Sequence, residues 1–512
     1  MTVTGETRLL PADTNQARGL AEHAIDFLFR DPRPVGRATF GLLERFHLDS
    51  VGCGVSAIAQ GANAPTVLRR EALATPPMAG SRGAVCFGSP RRCLVERAVA
   101  ANASAVREWD SNGTNFGYDA AKGRTAGEFG HNDYYPVAVA AAGEAGLGGD
   151  AALRLMLLID EIRGRLAEVF ALRKYAIDHV HHGAVASAVA FATALGGSAD
   201  QIESAIGMVV AHYVPFRAIR AGHQLSDSKG ASAALSSEVA VMAARRALAG
   251  FVGPQDVFRN PLAIYRRNEP CAEGRSPFDL ELGVGGDAFA IHSMHFKLGL
   301  YEHQSAGALQ SLVDLFAAHP TLAADLDGIR TITVRIYEPA YSIIADPAKR
   351  TPQTRQSADH SLPYILAKTL LKARAASRSG AAADWESCML LPDDYSEAAI
   401  RGTDIPALIE KMSIVHGGRD YDDRYPEGIP TSVEIEHVAL GRISAGLVTY
   451  PLGHARADVA RTAAVVDLKF DRLVAGAVAD PRALRERMRI GSKTPAEMAE
   501  LYAFPIHGCD PG

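Results

Sequence analysis

Apolar residues recur at three- and four-residue steps through the first half of the chain. Residues 38–59 carry one such stripe, and residues 151–172 and 230–249 carry two more. This spacing places the apolar side chains on one face of a helix, so each segment is predicted to be an amphipathic helix. Asp150 directly precedes the second stripe and is expected to be its N-cap, because its carboxylate can accept hydrogen bonds from the free amides of a first turn.

Further helix signals lie between these stripes. Ser198 followed by Gln201 matches a capping box at the start of a helix. Residues 138–142 and 184–194 are rich in alanine on several faces. Because small side chains allow helix axes to approach closely, the first half of the chain is predicted to form a compact bundle of helices.

The pattern changes after about residue 255. Prolines and the glycine-rich run 283–286 interrupt the helical periodicity, which indicates a boundary. The segments predicted beyond it are a helix at 303–318, a strand around 332–336, a helix at 361–376, and strands around 433–435 and 443–450. Residues 456–512 then return to a helical pattern.

We therefore predict a mainly α protein. Residues 1–286 are expected to form a large all-helical bundle domain, which residues 456–512 rejoin. Residues 287–455 are expected to form a smaller α+β lid domain, inserted before this C-terminal helical tail. The length of 512 residues agrees with two units, because single cores stop growing near roughly 250–300 residues.

The composition argues against several classes of protein. Apolar residues make up 47% and charged residues 22%, which is typical of globular proteins and argues against disorder. The net charge is −5 without a basic stripe, so no nucleic-acid partner is expected. No uninterrupted apolar stretch reaches about 18 residues, so no membrane contact is expected. Six cysteines without a C-x-x-C pair, and an N-terminus without an apolar signal core, predict a reducing, cytoplasmic compartment.

Polar residues form three islands in these apolar surroundings. The islands are Glu108–Thr114 with Gly130–Asp133, then Asp178–His182, then His292, His295, Lys297 and His303. Lys229 heads a further predicted helix, and His179 begins an Ala-rich one. Because helix N-termini attract anions, these two residues suit a carboxylate ligand. Taken singly, each candidate also fits a plainer role, with Asp110 in an Asx turn, His131 as a cap and Lys229 as a surface lysine.

A metal site is not favoured at these histidines. His179 and His182 are three residues apart, but neither a cysteine pair nor an H-E-x-x-H motif accompanies them. The cysteines do not indicate an iron–sulfur cluster either, because such a cluster needs three of them with two close together. Cys86 and Cys93 do not form a C-x-x-C motif.

Longer motifs carry a family resemblance. They are TRQSADHSLPY at Thr354–Tyr364, YPLGH at Tyr450–His454, Asp110 and Thr114 with the later Gly130-His131, then Asp178-His179, Lys229 and Phe296-Lys297. On these motifs the chain resembles the MmgE/PrpD family, from about residue 20 to about residue 475. The long TRQSADHSLPY segment is the most specific of them and resembles the tricarboxylate-dehydrating members.

Four features depart from the family pattern. Gly113 stands where the family usually has an acid, and Asn132 stands where it usually has a proline. The loop from 115 to 127 is long, and Leu300–Glu302 replaces an aromatic-proline stretch before His303. These positions surround the expected pocket, so they bear on the substrate more than on the fold.

The resemblance implies a carbon–oxygen lyase that removes water from a tricarboxylate. It also implies a homodimer, a pocket between the helical domain and the lid, and no metal or organic cofactor. Similar family members decarboxylate cis-aconitate or epimerise small imino dicarboxylates, and the same site groups would serve those reactions. A non-catalytic helical scaffold is a third alternative, which Gly113 and Asn132 allow.

The expected chemistry assigns roles to the matching residues. Removal of a proton next to a carboxylate needs cations and a base, because the carbanion forms beside negative charge. His131 and His179 are expected to handle the protons, and the choice between acid and base stays open. Asp110 would orient a histidine or bind the substrate hydroxyl, and Lys229 would neutralise a carboxylate. The expected substrate-binding residues are Thr114, Lys297, His303, Tyr341 and Arg355.

Overall fold

The structure is a computed structural model that describes most of the backbone and most of the side chains. The backbone is described for residues 2–4, 6–115, 118–119, 124–125, 130–220 and 224–510. Side chains are described for residues 6–114, 132–219 and 224–510. Within these ranges, no helix combines the length and the apolar character needed to cross a bilayer.

Helices dominate the first half of the chain. They are α1 (Gln16–Ile25), α2 (Arg37–Ala59), α3 (Asn63–Leu73), α4 (Val95–Arg107), α5 (Tyr135–Ala145), α6 (Gly149–Val169), α7 (Val180–Ala194), α8 (Ala199–His212), α9 (Asp227–Gly230), α10 (Ser232–Leu248) and α11 (Ile264–Asn268). Every residue of α7 is buried, and this helix packs against α5, α6, α8 and α10. A helix that is apolar on all sides belongs at the centre of a bundle, and α7 lies there.

The helix signals in the sequence are largely confirmed. Ser198 caps α8 in a capping box with Gln201, as predicted. The prediction for Asp150 is wrong, because Gly148 is the N-cap of α6 and Asp150 lies in its first turn. A tertiary contact sets this start: the Gly149 amide donates to Lys493 O at 2.8 Å. A Cβ at Gly149 would lie 1.7 Å from Ile490 O, so only glycine allows this approach.

Short strands accompany the helices of the first half. They are β1 (Thr2–Thr4), β2 (Thr7–Leu10), β3 (Ala84–Val85), β4 (Arg92–Cys93), β5 (Thr114–Asn115), β6 (Tyr118–Asp119), β7 (Arg124–Thr125), β8 (Gly130–His131) and β9 (Leu280–Gly283). β2 pairs antiparallel with β1 and with β9. The segment 280–283, next to the predicted boundary, is therefore a strand tied to the N-terminus.

A four-stranded sheet forms the centre of the α+β region. Its strands are β10 (Ile329–Ile336), β11 (Met412–His416), β12 (Thr431–His437) and β13 (Gly441–Val448), in the order β11-β10-β12-β13. β10 and β11 are parallel, and the other pairs are antiparallel. The predicted alternation is confirmed in β10, where Ile332 and Val334 are buried and lie opposite Ile435 and Val433. β11 was not predicted.

Helices cover this sheet and surround it. They are α12 (Ala306–Ala318), α13 (Pro320–Ala324), α14 (Glu338–Ile344), α15 (Arg355–Ala358), α16 (Leu362–Arg378), α17 (Trp385–Cys388), α18 (Glu397–Ile400), α19 (Asp404–Glu410) and α20 (Arg419–Asp422). α12 packs against β12 and β13, and α16 packs against α12. The mainly α class with a smaller α+β region is confirmed.

The C-terminal helices are α21 (Val459–Val474), α22 (Pro481–Arg487) and α23 (Pro495–Ala499). α21 packs against α2, and α23 packs against α5. α21 carries Lys469, whose buried ammonium lies 2.6 Å from Asp49 Oδ1 on α2. The same ammonium donates to Ser111 O at 2.8 Å and to Lys297 O at 2.6 Å. We refer to Asp49 and Lys469 as the Lys469 pair.

Candidate active site

Asp110 is the centre of a buried ionic group. It follows the end of α4 in a left-handed backbone conformation, with φ of 50°, which turns the chain toward β5. Lys297 Nζ donates to both Asp110 O, at 2.8 Å, and Asp110 Oδ1, at 2.9 Å. The Arg107 guanidinium, one helical turn earlier, contacts the same Oδ1. One oxygen of Asp110 therefore faces two cationic groups.

The second oxygen of Asp110 faces two further groups. Lys229 Nζ lies 3.4 Å from Asp110 Oδ2, and His360 Nε2 lies 3.3 Å from it. Lys229 comes from α9 and His360 from the segment after α15. These residues are far apart in the sequence, so tertiary packing alone brings them to one carboxylate.

Hydrogen bonds explain how the two segments meet. Thr354 Oγ1 donates to Leu225 O at 3.2 Å, and the Leu225 amide donates to Ser357 Oγ at 2.9 Å. Gln356 Nε2 donates to Asp227 Oδ1 at 3.2 Å. The TRQSADHSLPY motif thus docks on the chain just before Lys229.

Arg355 extends the ionic group toward α4. Its guanidinium donates to Asp359 Oδ2 at 2.8 Å and to Glu108 Oε1 at 2.6 Å, and it lies over the Trp109 ring at 5.1 Å. Asp359 Oδ1 in turn lies 2.5 Å from His360 Nδ1. The residues joined in this way, which we call the Asp110 cluster, are Arg107, Glu108, Asp110, Lys229, Lys297, Arg355, Asp359 and His360.

Burial and neighbouring charges shift the pKa values in opposite directions. Burial, reinforced by Arg107, holds the pKa of Lys297 well below its ordinary value. Burial raises the pKa of Glu108, although Arg355 opposes this. Burial would also raise the pKa of Asp359, but Lys229 and the other neighbouring cations lower it below its ordinary value. An anionic ligand would favour the charged form of Lys297, so carboxylate binding and protonation support each other.

Three donor groups of the cluster come close enough to hold a metal ion. Atoms of Asp110, Asp359 and His360 lie within 4.8 Å of one another. Their carboxylate oxygens already face ammonium and guanidinium groups, which a divalent cation would have to displace. The donor set therefore fits an anionic ligand between cations better than it fits a metal ion.

A row of histidine rings adjoins Lys297. His295 stacks on His303 with ring centroids 5.3 Å apart, and its ring is tilted against that of His454 with centroids 4.2 Å apart. The backbone of His295 pairs with Thr114, so this row is fixed to the segment that follows Asp110. The expected residues Thr114 and His303 are both buried here. Burial and Lys297 lower the pKa of His303 well below its ordinary value, which keeps it neutral.

Of the two expected proton-handling histidines, only His179 has a described side chain. The backbone of His131 pairs with Thr114, but its side chain lies outside the described residues. His179 is the N-cap of α7, as expected, and its Nε2 lies 3.7 Å from Asp178 Oδ1. This end of α7 contacts Tyr134, whose hydroxyl lies 3.4 Å from Val180 O.

Tyr134 follows Asp133 in the chain, and Asp133 connects that end of α7 to the Asp110 cluster. Asp133 Oδ2 lies 3.5 Å from Arg107 Nε. His179 therefore belongs to a second group of side chains that borders the cluster. Tyr341 lies elsewhere: it is 41% exposed on α14, and its ring is 6.2 Å from that of His416.

Two of the departures from the family pattern pack together. A Cβ on Gly113 would lie 2.4 Å from the Phe46 ring on α2, so a larger residue does not fit there. Asn132 Nδ2 donates to Phe46 O at 3.0 Å and to Ser50 Oγ at 2.9 Å. Gly113 and Asn132 thus both pack against α2.

Sequence reasoning brought together some members of the cluster and missed others. The structure places the expected Asp110, Lys229, Lys297 and Arg355 side by side. Glu108 was noted in the first polar island without a role, and Arg107, Asp359 and His360 were not predicted as site residues, although the last two lie in a quoted motif. The only signal for the last two was their place inside TRQSADHSLPY, which could have been inspected for titratable residues.

Comparison with known proteins assigns the family. The model of the MmgE/PrpD N-terminal domain matches residues 20–268, and that of the MmgE/PrpD C-terminal domain matches residues 303–490. The chain belongs to the MmgE/PrpD family. In this MmgE/PrpD chain, Asp110 and Lys229 lie within the N-terminal match and the TRQSADHSLPY motif within the C-terminal match, whereas Lys297 lies between the two.

Several curated members of the MmgE/PrpD family are similar to this chain. It is 25% identical to 2-methylcitrate dehydratase of Salmonella typhi over 427 residues, which is 80% of each chain. It is 25% identical to 2-methylcitrate dehydratase of Salmonella typhimurium over 322 residues, and 24% identical to that of Escherichia coli over 321 residues. The last two matches cover 62% of each chain, which is less than two thirds of those relatives' length.

Proposed function

We propose that this protein is a hydro-lyase that converts 2-methylcitrate to 2-methyl-cis-aconitate and water by acid–base elimination. The observation that carries the proposal is the buried Asp110 cluster, where Arg107, Lys229 and Lys297 surround one carboxylate. The names of similar MmgE/PrpD proteins support the choice of substrate.

The cations would neutralise the carboxylates of the substrate. Lys229 and Lys297 are both buried, so their charge acts where water screens it little. Arg355 presents a planar pair of donors, which suits bidentate contact with a carboxylate, although Asp359 and Glu108 share it. Binding would therefore weaken these internal ion pairs and replace them with pairs to the substrate.

A histidine would remove the proton from carbon. The adjacent negative carboxylates oppose carbanion formation, so the clamp and the base must act together. His131 and His179 are the histidines that the family motifs suggest, and Thr114 and His303 would contact the substrate beside Lys297. Tyr341 would contribute only if the lid brought its exposed ring inward.

The test is turnover on a panel of acids. Purified, metal-stripped protein is incubated with 2-methylcitrate, citrate and cis-aconitate, and ultraviolet absorbance reports the conjugated product. We expect the fastest absorbance rise with 2-methylcitrate. If no acid were converted, the protein would be a non-catalytic scaffold and the proposal would be wrong. Release of carbon dioxide from cis-aconitate would identify a decarboxylase instead.

A variant connects this activity with the site. We expect Lys229→Ala to lower turnover by about 10²–10⁴-fold, because it removes a carboxylate clamp and an acid–base group. Normal turnover in Lys229→Ala would show that the site is elsewhere.

A further inference from the structure

Asp359 and His360 form a pair inside the TRQSADHSLPY motif, and the sequence analysis gave neither residue a role. His360 Nδ1 lies 2.5 Å from Asp359 Oδ1. A carboxylate oxygen only accepts hydrogen bonds, so Nδ1 must carry the hydrogen and donate it. In the neutral imidazole the lone pair is then on Nε2, the nitrogen that can take up a proton.

The lone pair on Nε2 is directed into the Asp110 cluster. His360 Nε2 lies 3.3 Å from Asp110 Oδ2, and Lys229 Nζ lies 3.4 Å from the same oxygen. The side chain of His360 is 12% exposed, whereas those of Asp110 and Lys229 are 2% exposed. A basic nitrogen, a carboxylate and an ammonium therefore meet at one oxygen.

Burial, more than the surrounding charges, lowers the pKa of His360 and keeps it neutral. Asp110 and Asp359 face it with negative charge, and Lys229 and Lys349 act on it with positive charge. Burial first, then Lys229, hold the pKa of the His360 imidazole well below its ordinary value, although Asp359 opposes them. A neutral imidazole in a cationic site is a base that is available at physiological pH.

We propose that His360, oriented by Asp359, removes the carbon-bound proton of the substrate, in place of His131 or His179. This inference rests on the proposed dehydration and assigns its first step. The C–H bond breaks as Nε2 takes the proton, the electron pair forms the carbon–carbon double bond, and the C–O bond breaks. The leaving hydroxide takes a proton from the Lys229 ammonium and departs as water.

Asp110 returns the site to its starting state. Its Oδ2 is near both His360 Nε2 and Lys229 Nζ, so it passes the proton from the imidazolium back to the lysine. Every proton is then accounted for, because substrate loses one hydrogen and one hydroxyl and the protein gains nothing. Asp359 is a positioning residue in this scheme, since it acts through the imidazole.

The first experiment compares His360→Gln with a matched histidine outside the cluster. His292 also lies beside an aspartate, with Nε2 3.7 Å from Asp287 Oδ1, so His292→Gln is the control. We expect His360→Gln to lower kcat on 2-methylcitrate by about 10²–10⁴-fold and His292→Gln to stay close to the wild type. Thermal midpoints of both variants show whether the fold is retained.

The outcomes separate this inference from the proposed function. Wild-type protein that converts no acid in the panel rejects the proposed function and the inference together. Wild-type turnover with a His360→Gln rate within a few-fold of it rejects the inference alone. Asp359→Asn is the second variant, and it keeps the imidazole while removing the negative charge that orients it.

The pH profile distinguishes a base from a structural residue. In the wild type, kcat/KM should fall only below about pH 6.5, the ordinary pKa of histidine, because the pKa of His360 is lowered. The residual activity of His360→Gln should lack this acid limb, and Asp359→Asn should move it to lower pH. An unchanged acid limb in both variants would assign the proton transfer to another group.

Discussion

Two buried ionic groups of this protein are built in opposite ways. In the Lys469 pair, one ammonium has Asp49 and two backbone carbonyls as acceptors, at 2.6–2.8 Å. Its three donors are therefore all used. In the Asp110 cluster, Arg107, Lys229 and Lys297 share the Asp110 carboxylate, and Asp133 and Asp359 lie near Arg107 and Lys229.

This difference indicates different roles. Because all three donors of the Lys469 ammonium are used, none is left for a ligand, and this residue joins α21 to α2 and fixes the backbone of Ser111 and Lys297. In the Asp110 cluster, several cations share carboxylates, and an anionic ligand can exchange with these shared ion pairs. We therefore regard the Lys469 pair as structural and the Asp110 cluster as functional, and four measurements test this contrast.

The largest expected effect is on turnover in Lys229→Met. Removal of this ammonium takes away a carboxylate clamp and the proton for the leaving hydroxide, so turnover should fall by about 10²–10⁴-fold. Lys372→Met removes a lysine that pairs with Asp394 away from the cluster and serves as the control. Equal turnover in the two variants would contradict a functional role for Lys229.

The second effect is on stability in Lys469→Met. Removing one partner of a buried pair leaves Asp49 as an uncompensated charge, so the free energy of unfolding should drop by about 3–5 kcal/mol. Denaturant titration measures it. Adding Asp49→Leu to the same chain should restore most of the loss, and a double variant as unstable as the single one would contradict the pair assignment.

A smaller effect is the pH dependence of stability. Burial raises the pKa of Asp49, against Lys469, whereas the pKa of Asp359 is lowered. A raised carboxyl pKa means that stability is lost as the pH rises above about 4, and a lowered one means that stability is lost as the pH falls below about 4.

The two asparagine variants separate these signs. Relative to the wild type, the thermal midpoint of Asp49→Asn should improve as the pH rises from about 3 to 7, whereas that of Asp359→Asn should worsen. If the thermal midpoint relative to the wild type changed with pH in the same direction in both variants, the pKa values of Asp49 and Asp359 would not be shifted in opposite directions.

The smallest expected effect is that of a chelator on the Asp110 cluster. Because its carboxylates already face ammonium and guanidinium groups, dialysis against a chelator should leave turnover unchanged. Turnover is measured before and after dialysis and after adding zinc or iron. A loss that either ion restores would place a metal among Asp110, Asp359 and His360.

Local patterns in the sequence determined the fold class and many elements. The helices near 38–59 and 230–249, the capping box at Ser198 and the alternation in β10 are all present. Such features depend on which face of one helix or strand is apolar and on hydrogen bonds between neighbours in the chain. β11 was missed because only two of its five residues, Ile414 and Val415, combine strand propensity with apolar character.

Tertiary structure alone decided the start of α6 and the composition of the ionic groups. Gly148 rather than Asp150 caps α6 because the C-terminal tail packs against Gly149. Asp110 and Lys297 are 187 residues apart, and the local sequence around either does not state which charge will be its partner. The sequence determined which charged residues exist and which motifs carry them. Tertiary packing decided that Asp359 and His360 join Asp110, while Asp49 and Lys469 form a separate pair. No local pattern contains the burial and the distances that set these partnerships.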